Sequence, residues 1–256
     1  MKLRGILSQG LIYPNKDWKE GEVLNDVLGI EKYEPVIPAT LAGEVSNVGD
    51  TLTIKYDIEN FKKFPEVIQE GELVQITEKL HGTFSMFSAI PTSWVDETSE
   101  LHEKLVDGRF IAASKGLGAK GLVFKDNENN LKNIYLKTAK ELELFKLVGE
   151  LADRYNTIVT IAGEIFGGGI QDLGYGFTKA QFRLFDVAVG NERVKKRFLN
   201  HDDVEDICKE FGVERVPLLY VGEFTKEVLD TYTNGLETVS GQDTHIREGV
   251  VVKPLV

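Results

Sequence analysis

Residues 77–83 read Thr77-Glu78-Lys79-Leu80-His81-Gly82-Thr83, and they place a lysine just before a glycine turn. The run Leu73–Thr77 before this stretch predicts a strand, and Thr83–Ile90 after the glycine turn predicts a second one. A lysine between a strand and a glycine turn lies where a substrate phosphate can approach the backbone closely. Burial and nearby positive charge can make a lysine amine nucleophilic. Considered alone, Lys79 is more typical of a surface turn, so its role depends on the motifs that follow.

Short strands occupy much of the chain after this turn. They are predicted at Phe110–Ala113, Gly121–Phe124, Asn133–Leu136, Ile158–Ala162, Phe182–Val189 and from Gly249 onward. The first three of these suggest a meander. Several antiparallel strands interrupted by a few helices predict an α+β domain, not a doubly wound sheet.

Three helices are predicted between the strands. The longest covers Thr138–Tyr155, with apolar residues on one face and a capping box formed by Thr138 and Glu141. Asn200 can cap a second helix that extends to about Phe211, and Thr225 a third that extends to about Tyr232.

The first 70 residues differ from the rest. Residues 11–70 hold four of the seven prolines and show little periodicity, which suits an extended connecting segment. Within that segment, Thr51–Tyr56 alternates polar and apolar side chains and predicts one strand.

Composition sets limits on the class of protein. The 256 residues are 42% hydrophobic and 28% charged, which is ordinary for a globular protein, and no apolar run approaches a bilayer span. The single Cys208 excludes an intramolecular disulfide and a cysteine-rich zinc site, so a reducing, cytoplasmic setting is expected. The net charge of −11 argues against indiscriminate nucleic-acid binding. Basic residues nevertheless gather at Lys62-Lys63, at Lys115, Lys120 and Lys125, and at Arg193–Arg197, where each cluster is more typical of solvated surface.

One glycine pattern is misleading. Gly116-Leu-Gly118-Ala-Lys-Gly121-Leu-Val123 fits the glycine-rich loop of protein kinases, but the lysine, H-R-D and D-F-G motifs of kinases are absent. A dinucleotide site would need these glycines to open a helix, whereas strand-like residues follow. A glycine-rich hairpin is therefore predicted.

Two later motifs carry groups suited to a nucleotide. Gly163-Glu164-Ile-Phe-Gly167-Gly168-Gly169 ends a strand in a carboxylate that could hold a ribose hydroxyl, or else marks a loop with positive φ angles. Phe182-Arg-Leu-Phe185-Asp186 offers an aromatic ring suited to stacking on a purine, or else belongs to the core.

The last motif is Arg247-Glu248-Gly249-Val-Val-Val-Lys253, with an acid and a lysine at the two ends of one short strand. Five residues apart, Glu248 and Lys253 point to opposite faces of an ideal strand. A twist or an end effect is needed for both to reach one ligand. The alternative is a solvent-exposed edge strand.

In this order, the motifs resemble those of the covalent nucleotidyltransferase superfamily, which contains ATP-dependent DNA ligases, RNA ligases and mRNA-capping guanylyltransferases. The first motif, Lys-x-[Asp/Asn/His]-Gly, is matched by Lys79-Leu-His81-Gly82, and Ser114-Lys115 matches the basic element after it. Glu164 falls on the third motif, Phe185 (or Phe182) on the stacking aromatic, and Glu248-to-Lys253 on the fourth. The resemblance covers nearly the whole chain.

Two details of the resemblance favour RNA ligation. His81 stands where DNA ligases and capping enzymes usually have aspartate, and Lys-x-His-Gly-Thr is similar to the RNA ligases that seal nicked duplexes. The stretch Gly-Gly-Gly-Ile-Gln-x-x-x-Tyr-Gly over 167–176 is also similar to that branch. A DNA ligase or capping enzyme, and a nucleotide- or nucleic-acid-binding module without catalysis, are the alternatives.

The resemblance implies a nucleotidyltransferase domain, an ATP-grasp-like adenylation fold of antiparallel sheets flanked by helices. Lys79 would be the catalytic nucleophile that takes AMP from ATP, and Glu248 would bind Mg²⁺ or Mn²⁺. The implied nucleotide-binding residues are Glu78, His81, Gly82, Lys115, Glu164, Phe185 and Lys253. The partner would be RNA or a nicked RNA-containing duplex and not a membrane, in the cytoplasm or, for a phage or viral protein, the host cytoplasm.

The resemblance also implies a division of the chain. Residues 71–256 would form the nucleotidyltransferase domain, and residues 1–70 a connecting segment left from an N-terminal OB module. The stretch Lys2-Leu-Arg-Gly-Ile-Leu-Ser-Gln-Gly resembles the segment that leaves such a module. The family's final Lys-x-Lys motif is not found before residue 256, so we expect a truncated chain or a last strand supplied by another chain.

Overall fold

The computed structural model describes residues 2–3, 6–7, 13–14, 17–29, 37–49, 51–190 and 196–255. The chain divides into two compact units, Met1–Glu34 and Pro35–Val256. In the first, strands β1 (Lys2–Leu3) and β2 (Ile6–Leu7) pair antiparallel, and a short helix α1 covers Asn25–Leu28. Most of the stretch compared with an OB module, and residues 193–195 of the last basic cluster, lie outside the described residues.

The second unit is built from two antiparallel sheets and a two-stranded ribbon. The ribbon pairs β3 (Val45–Asn47) with β7 (Leu122–Phe124). The larger sheet has the order β10-β9-β8-β5-β6, with β5 Thr83–Ala89, β6 Phe110–Ser114, β8 Val159–Gly167, β9 Ala180–Val189 and β10 Arg197–Phe198. The smaller sheet has the order β11-β4-β12, with β4 Leu73–Lys79, β11 Leu218–Glu223 and β12 Gly249–Pro254.

Six helices complete the described part of this unit: α2 Glu100–Lys104, α3 Lys115–Gly118, α4 Ile134–Glu141, α5 Leu144–Tyr155, α6 His201–Phe211 and α7 Lys226–Thr233. Short 3₁₀ turns cover Ala39–Leu41, Pro65–Val67, Thr92–Trp94 and Glu128–Asn130. None of the helices in the described ranges has both the length and the apolar character needed to span a bilayer. The predicted α+β class of antiparallel sheets flanked by helices is confirmed.

Both faces of the five-stranded sheet are covered. One face packs against α4, α5 and α6 in the largest core, which includes Phe87, Ile161 and Leu147. The other face packs against the segment 52–56, with Met86 and Ile111 among its buried residues. Burial on both faces fixes these strands firmly in place.

The three-stranded sheet has a much smaller core. Val74 and Ile76 of β4 pack against Ile68 and Phe224 on one face only. The register places Gly249 opposite Lys79 and Lys253 opposite Gln75. Alternation along β4 and β12 therefore turns Lys79 and Lys253 to the face away from this small core.

Several local predictions are confirmed. The strands predicted on either side of the Lys79 turn are β4 and β5, and those at Phe110, Ile158, Phe182 and Gly249 are β6, β8, β9 and β12. Asn200 caps α6 by accepting a hydrogen bond from the backbone of Asp203, and Thr225 caps α7 through Val228.

The long predicted helix is wrong in its limits. It is two helices, α4 and α5, because Glu143 adopts a left-handed backbone with φ of 52° between them. Thr138 therefore lies inside α4 and caps nothing; Asn133 caps α4 by accepting from the backbone of Tyr135 and Leu136. The same cap converts the predicted strand at Asn133–Leu136 into the start of a helix.

Two further local predictions are wrong. Thr51–Tyr56 is not a strand, although Leu52, Ile54 and Tyr56 are buried against the five-stranded sheet. Residues 51–53 form a turn and bends, and Thr53 is buried as well, so the alternation of polar and apolar residues does not correspond to strand pairing here. The glycine-rich stretch after β6 is not a hairpin either, because Ser114 caps the short helix α3 and β7 pairs with β3.

Candidate active site

The turn between β4 and β5 presents Lys79 to a carboxylate. The Lys79 ammonium forms an ion pair with Oε1 of Glu248, and half of its side chain is exposed. The imidazole Nδ1 of His81 lies 3.7 Å from the other oxygen, Oε2, of Glu248. One carboxylate is therefore shared by the predicted nucleophile and by the residue two positions after it.

Gly82 allows this turn to lie directly on β8. A Cβ atom at Gly82 would lie 2.3 Å from the carbonyl oxygen of Ile165 and 3.0 Å from Cγ of Glu164. The backbone N–H of Gly82 donates a hydrogen bond to the Glu164 carboxyl group. A side chain at position 82 would push the turn away from Glu164, so the glycine is required here.

Glu164 lies between β5 and β9, opposite Phe84 on one side and Arg183 on the other. Burial raises the pKa of Glu164 to about 8; the nearby Glu248 also raises it, while Lys79 and the Gly82 N–H lower it. Glu164 is thus largely protonated at neutral pH. Glu164 therefore lies close enough to Lys79 and Glu248 for their charges to act on its pKa, so the structure places these three residues at one turn.

An end effect brings Glu248 to the face that Lys253 occupies. Glu248 precedes β12, and Gly249 has φ of 156°, which side-chain-bearing residues rarely adopt. The alternation of the strand is therefore broken before it reaches Glu248. The departure from ideal strand alternation that Glu248 and Lys253 need in order to reach one ligand is therefore present.

Phe185 and Phe182 have different surroundings. Phe182 is buried in the largest core, against Gly163, where a Cβ would lie 2.3 Å from the Phe182 ring. Phe185 is only partly buried and lies beside Tyr56 and Phe84, at ring-centroid distances of 5.4 and 5.8 Å. Of the two aromatics considered, Phe185 is the more exposed, so it is the better candidate for contact with a ligand.

Lys253 is held next to Phe185 by a buried acid. Its ammonium donates to Oδ2 of Asp186 at 2.6 Å and to the carbonyl of Phe185 at 3.2 Å, and lies 5.6 Å from the Phe185 ring. Burial lowers the pKa of Lys253, and Asp186 opposes this effect. Tyr56 also donates its hydroxyl to Asp186. This pair ties β12 of the small sheet to β9 of the large sheet.

Two predicted residues do not join the cluster. Lys115 lies at the same end of the large sheet as Gly82, but its ammonium is bound to the exposed Asp57 at 3.0 Å. Glu78 is buried on the opposite face of β4 from Lys79, and its Oε2 accepts from the N–H and hydroxyl of Thr238. Its Oε1 has no hydrogen-bond partner among the described residues.

Sequence reasoning assigned no role to four residues that support the site. Tyr175 accepts a hydrogen bond from the backbone of His81, and Gln171 donates to the carbonyl of Gly82. Asp186 and Tyr56 form the network at Lys253. Gln171, Tyr175 and Asp186 lie in motifs considered above, but the spacing of residues along a motif does not predict contacts between segments this far apart in the sequence.

The donor set suits a divalent cation bound together with phosphate oxygens. Within the described ranges, no group of three or more His, Cys, Asp or Glu side chains is arranged to hold a metal by itself. Glu248 offers carboxylate oxygens in contact with the Lys79 ammonium, and a bound cation would favour the ionised form of the nearby Glu164. Mg²⁺ commonly takes one or two carboxylates and completes its shell with water and substrate phosphates.

An open groove of about 510 Å³ lies elsewhere, beside the C-terminal end of α6. Residues of both charges line it, including Arg183, Glu214 and Lys209, and none of the predicted site residues does. Burial raises the pKa of Cys208, which also lines it, to about 11, so this thiol is not an activated nucleophile. The groove is therefore separate from the Lys79 cluster.

Comparisons with solved structures support the fold. Structures of Naegleria gruberi RNA ligase match 100% of this chain and 70% of their own chains. A variant with ATP and Mn matches at a TM-score of 0.61 and 23% identity. A variant with AMP and Mn matches at a TM-score of 0.59 and the ligase with PPi at a TM-score of 0.60, each with 24% identity. At these identities the likeness shows a shared fold. A sequence search of curated proteins gave no match.

The family is shown by sequence. The model of the RNA ligase family matches residues 72–256, from the start of β4 through β12, and so includes the Lys79 turn, Glu164, Phe185 and Glu248. This match covers well over half of the chain. The chain belongs to the RNA ligase family.

Proposed function

We propose that this protein is an ATP-dependent RNA ligase that forms a lysyl-AMP intermediate at Lys79 and seals breaks between a 3′-hydroxyl and a 5′-phosphate. The observation that carries the proposal is the convergence of Lys79, Glu248 and Glu164 at the Gly82 turn. Within this proposal, residues 71–256 act as the adenylylating domain, and residues 1–70 are a connecting segment related to an OB module.

The arrangement supports nucleotide binding between the two sheets. The partly buried ring of Phe185, with Lys253 beside it, would stack on adenine, and Glu164 would hold the ribose. His81 and the Gly82 backbone would face the phosphates, and Lys115 would reach them only on leaving Asp57. Glu78, buried on the opposite face of β4 and bonded to Thr238, would support the turn without contacting the nucleotide. The N. gruberi ligase structures that share the fold contain ATP or AMP with Mn, which supports the same ligands here.

The first chemical step needs a neutral amine at Lys79. Its proton passes to solvent, because Glu248, the carboxylate in contact with the ammonium, is the proposed cation ligand and stays ionised in that role. The amine nitrogen then attacks the α-phosphorus of ATP; a nitrogen–phosphorus bond forms, the bond to the bridging oxygen breaks, and pyrophosphate leaves. Lys253 and Lys115 would offset negative charge that builds on the phosphate.

Glu248, with Glu164 nearby, would hold a divalent cation. When bound, Mg²⁺ or Mn²⁺ supplies positive charge that neutralises the phosphates. With its carboxylate on the cation, Glu248 would no longer pair with the Lys79 ammonium, and the lost partner together with the added positive charge would favour the neutral amine.

Two further steps would complete ligation. The 5′-phosphate of an RNA strand attacks the phosphorus of lysyl-AMP, which releases Lys79 and forms a 5′-adenylylated end. A 3′-hydroxyl then attacks the 5′-phosphate, the phosphodiester forms and AMP leaves. The His81 motif supports nicked RNA-containing duplexes as the substrate.

The proposal is tested by labelling the purified protein with α-³²P-ATP and Mg²⁺. We expect an acid-labile adduct, reduced at least ~10³-fold by Lys79→Ala because the nucleophile is gone. Lys140→Ala is the matched control, since Lys140 is also half exposed and ion-paired, with Asp126. No label on the wild type, or equal label on Lys79→Ala, would contradict the proposal; ATP binding without an adduct would indicate a binding module.

Substrate choice is tested on nicked duplexes that differ only in the strand bearing the 3′-hydroxyl. We expect faster sealing when that strand is RNA than when all strands are DNA. A preference for all-DNA nicks would indicate a DNA ligase, and labelling by GTP in place of ATP would indicate a capping-type enzyme.

A further inference from the structure

The loop between β8 and β9, residues 168–179, lies against the Lys79 turn. Tyr175 of this loop is almost completely buried, at 1% exposure, and packs with Leu80, Phe166 and Val216. Its backbone is left-handed, with φ of 50°. Such a conformation is unfavourable for a bulky residue and persists only where surrounding contacts enforce it.

The Tyr175 hydroxyl is bonded to the nucleophile turn itself. It accepts a hydrogen bond from the backbone N–H of His81 at 2.7 Å, across 94 residues of sequence. Burial raises the pKa of Tyr175 to about 12, so the phenol stays neutral over the physiological range. The bond fixes the backbone two residues after Lys79.

A second side chain of the same loop holds the next residue. The Gln171 amide donates to the carbonyl of Gly82 at 3.3 Å. The Gly82 N–H is in turn bonded to Glu164 of β8. Backbone groups of both His81 and Gly82 are therefore held by side chains from β8 and from the loop that follows it.

Tyr175 also touches the segment that carries Glu248. The rings of Tyr175 and His245 meet edge to face at a centroid distance of 4.6 Å. The Nδ1 atom of His245 is bonded to the carbonyl of Ile246 at 2.9 Å, two residues before Glu248. One buried ring thus contacts the segments that supply both members of the Lys79–Glu248 ion pair.

We propose that Tyr175 and Gln171 are positioning residues that hold the backbone of the Lys79 turn, and that Tyr175 also seats the segment preceding Glu248. This inference rests on the proposed function of Lys79. Neither side chain contacts the Lys79 amine. They act by restricting where that amine can lie relative to Glu164 and Glu248, and a displacement of about 1 Å can cost a reaction 10²-fold.

The first test is Tyr175→Phe, which removes one oxygen and keeps the ring. We expect adduct formation at saturating ATP to slow by about 10- to 100-fold, with the Kd for ATP changed less than about 3-fold. Tyr220→Phe is the matched control, because it removes another tyrosine hydroxyl that is bonded to a backbone group, the carbonyl of Glu223. That variant should label at the wild-type rate.

Amide hydrogen exchange gives a readout that does not depend on catalysis. In Tyr175→Phe, we expect faster exchange in a peptide that spans residues 79–83, while peptides from β5 exchange as in the wild type. A role confined to general stability would instead accelerate exchange throughout the core and lower the melting temperature in proportion to the rate.

Gln171→Ala provides a second variant that leaves the core intact, since Gln171 is exposed. We expect about 3- to 10-fold slower labelling at an unchanged melting temperature. If Tyr175→Phe does not fold, the labelling rate of Gln171→Ala tests the inference in its place. Wild-type labelling rates in the variants would overturn the inference while Lys79 remains the nucleophile; a wild-type chain that forms no adduct overturns the proposed function, and this inference with it.

Discussion

The two sheets of the larger unit carry different halves of the site and are buried to different extents. The five-stranded sheet has a core on each face and supplies Glu164 and Phe185. The three-stranded sheet has one small core, exposes apolar side chains such as Leu218 and Val221, and supplies Lys79 and Lys253. The proposed nucleophile, Lys79, therefore lies on the sheet that packing fixes less firmly.

The difference shows which interactions must set the geometry of the reaction. A large core defines the positions of Glu164 and Phe185. The position of Lys79 relative to them depends instead on a few polar contacts, namely Lys253 with Asp186, Gly82 with Glu164, and His81 with Tyr175. Mutations in these contacts should affect the site more than mutations of exposed residues on either sheet.

The largest effect is expected from Asp186→Ala, which leaves the Lys253 ammonium largely buried without its counter-ion. Removing one partner of a buried pair costs about 3–5 kcal/mol, and we expect a loss of that order in the free energy of unfolding measured with denaturant. Asp126→Ala is the control, because its ion pair with Lys140 is exposed on both sides and should contribute about 0–1 kcal/mol. Equal losses in the two variants would show that the Lys253–Asp186 pair contributes no more to the free energy of unfolding than an exposed ion pair does.

Gly82→Ala should have the next largest effect. The added Cβ would lie 2.3 Å from the carbonyl oxygen of Ile165, so the turn must move away from β8. We expect a loss of about 1–3 kcal/mol in stability and about 100-fold slower adduct formation. Gly116→Ala is the control, since nothing lies within 4 Å of its added Cβ; an unaffected Gly82→Ala enzyme would mean that the close approach to Glu164 is dispensable.

The smallest effect is expected from Glu164→Gln, and it depends on pH. The folded-state pKa of Glu164, about 8, lies above its ordinary value of 4.5, so the folded protein holds the extra proton. Stability is therefore lost as pH rises through that window. The glutamine variant lacks this loss, and its melting temperature relative to wild type should be roughly 2–8 °C higher at pH 9 than at pH 5.

The exposed Glu210→Gln is the control for this measurement, because Arg154 holds the pKa of Glu210 below its ordinary value. The difference in melting temperature between Glu210→Gln and the wild type should be nearly the same at pH 5 and pH 9, since a surface carboxylate that stays ionised contributes nearly the same stability over that range. A Glu164→Gln curve parallel to wild type would show that Glu164 ionises normally in the folded protein.

The sequence was most informative where the chemistry is local or the motif order is specific. Short strand-like runs bounded by turn residues located β4, β5, β8, β9 and β12, and side-chain caps located α6 and α7. The order of motifs predicted one site for Lys79, Glu164 and Glu248, and the structure places the three close to one another. These signals depend on residues close in sequence or on a shared family pattern.

Other features depend on contacts that sequence patterns do not record. The break between α4 and α5 occurs at Glu143, inside a continuous helical pattern, and nothing local requires its left-handed backbone. Lys115 is bound to Asp57, 58 residues away, and Tyr175 to His81, 94 residues away. Such partners follow from how the sheets pack, so a list of motif residues cannot give them.

The proposal that Lys79 receives AMP is tested most directly by locating the AMP group on the protein. The protein is incubated with ATP and Mg²⁺, kept at neutral or alkaline pH to preserve the phosphoramide, digested and sequenced by electron-transfer mass spectrometry. We predict that the adenylyl group lies on Lys79, in the peptide that also contains His81 and Gly82. An adduct on any other lysine, Lys115 or Lys253 included, would contradict the account.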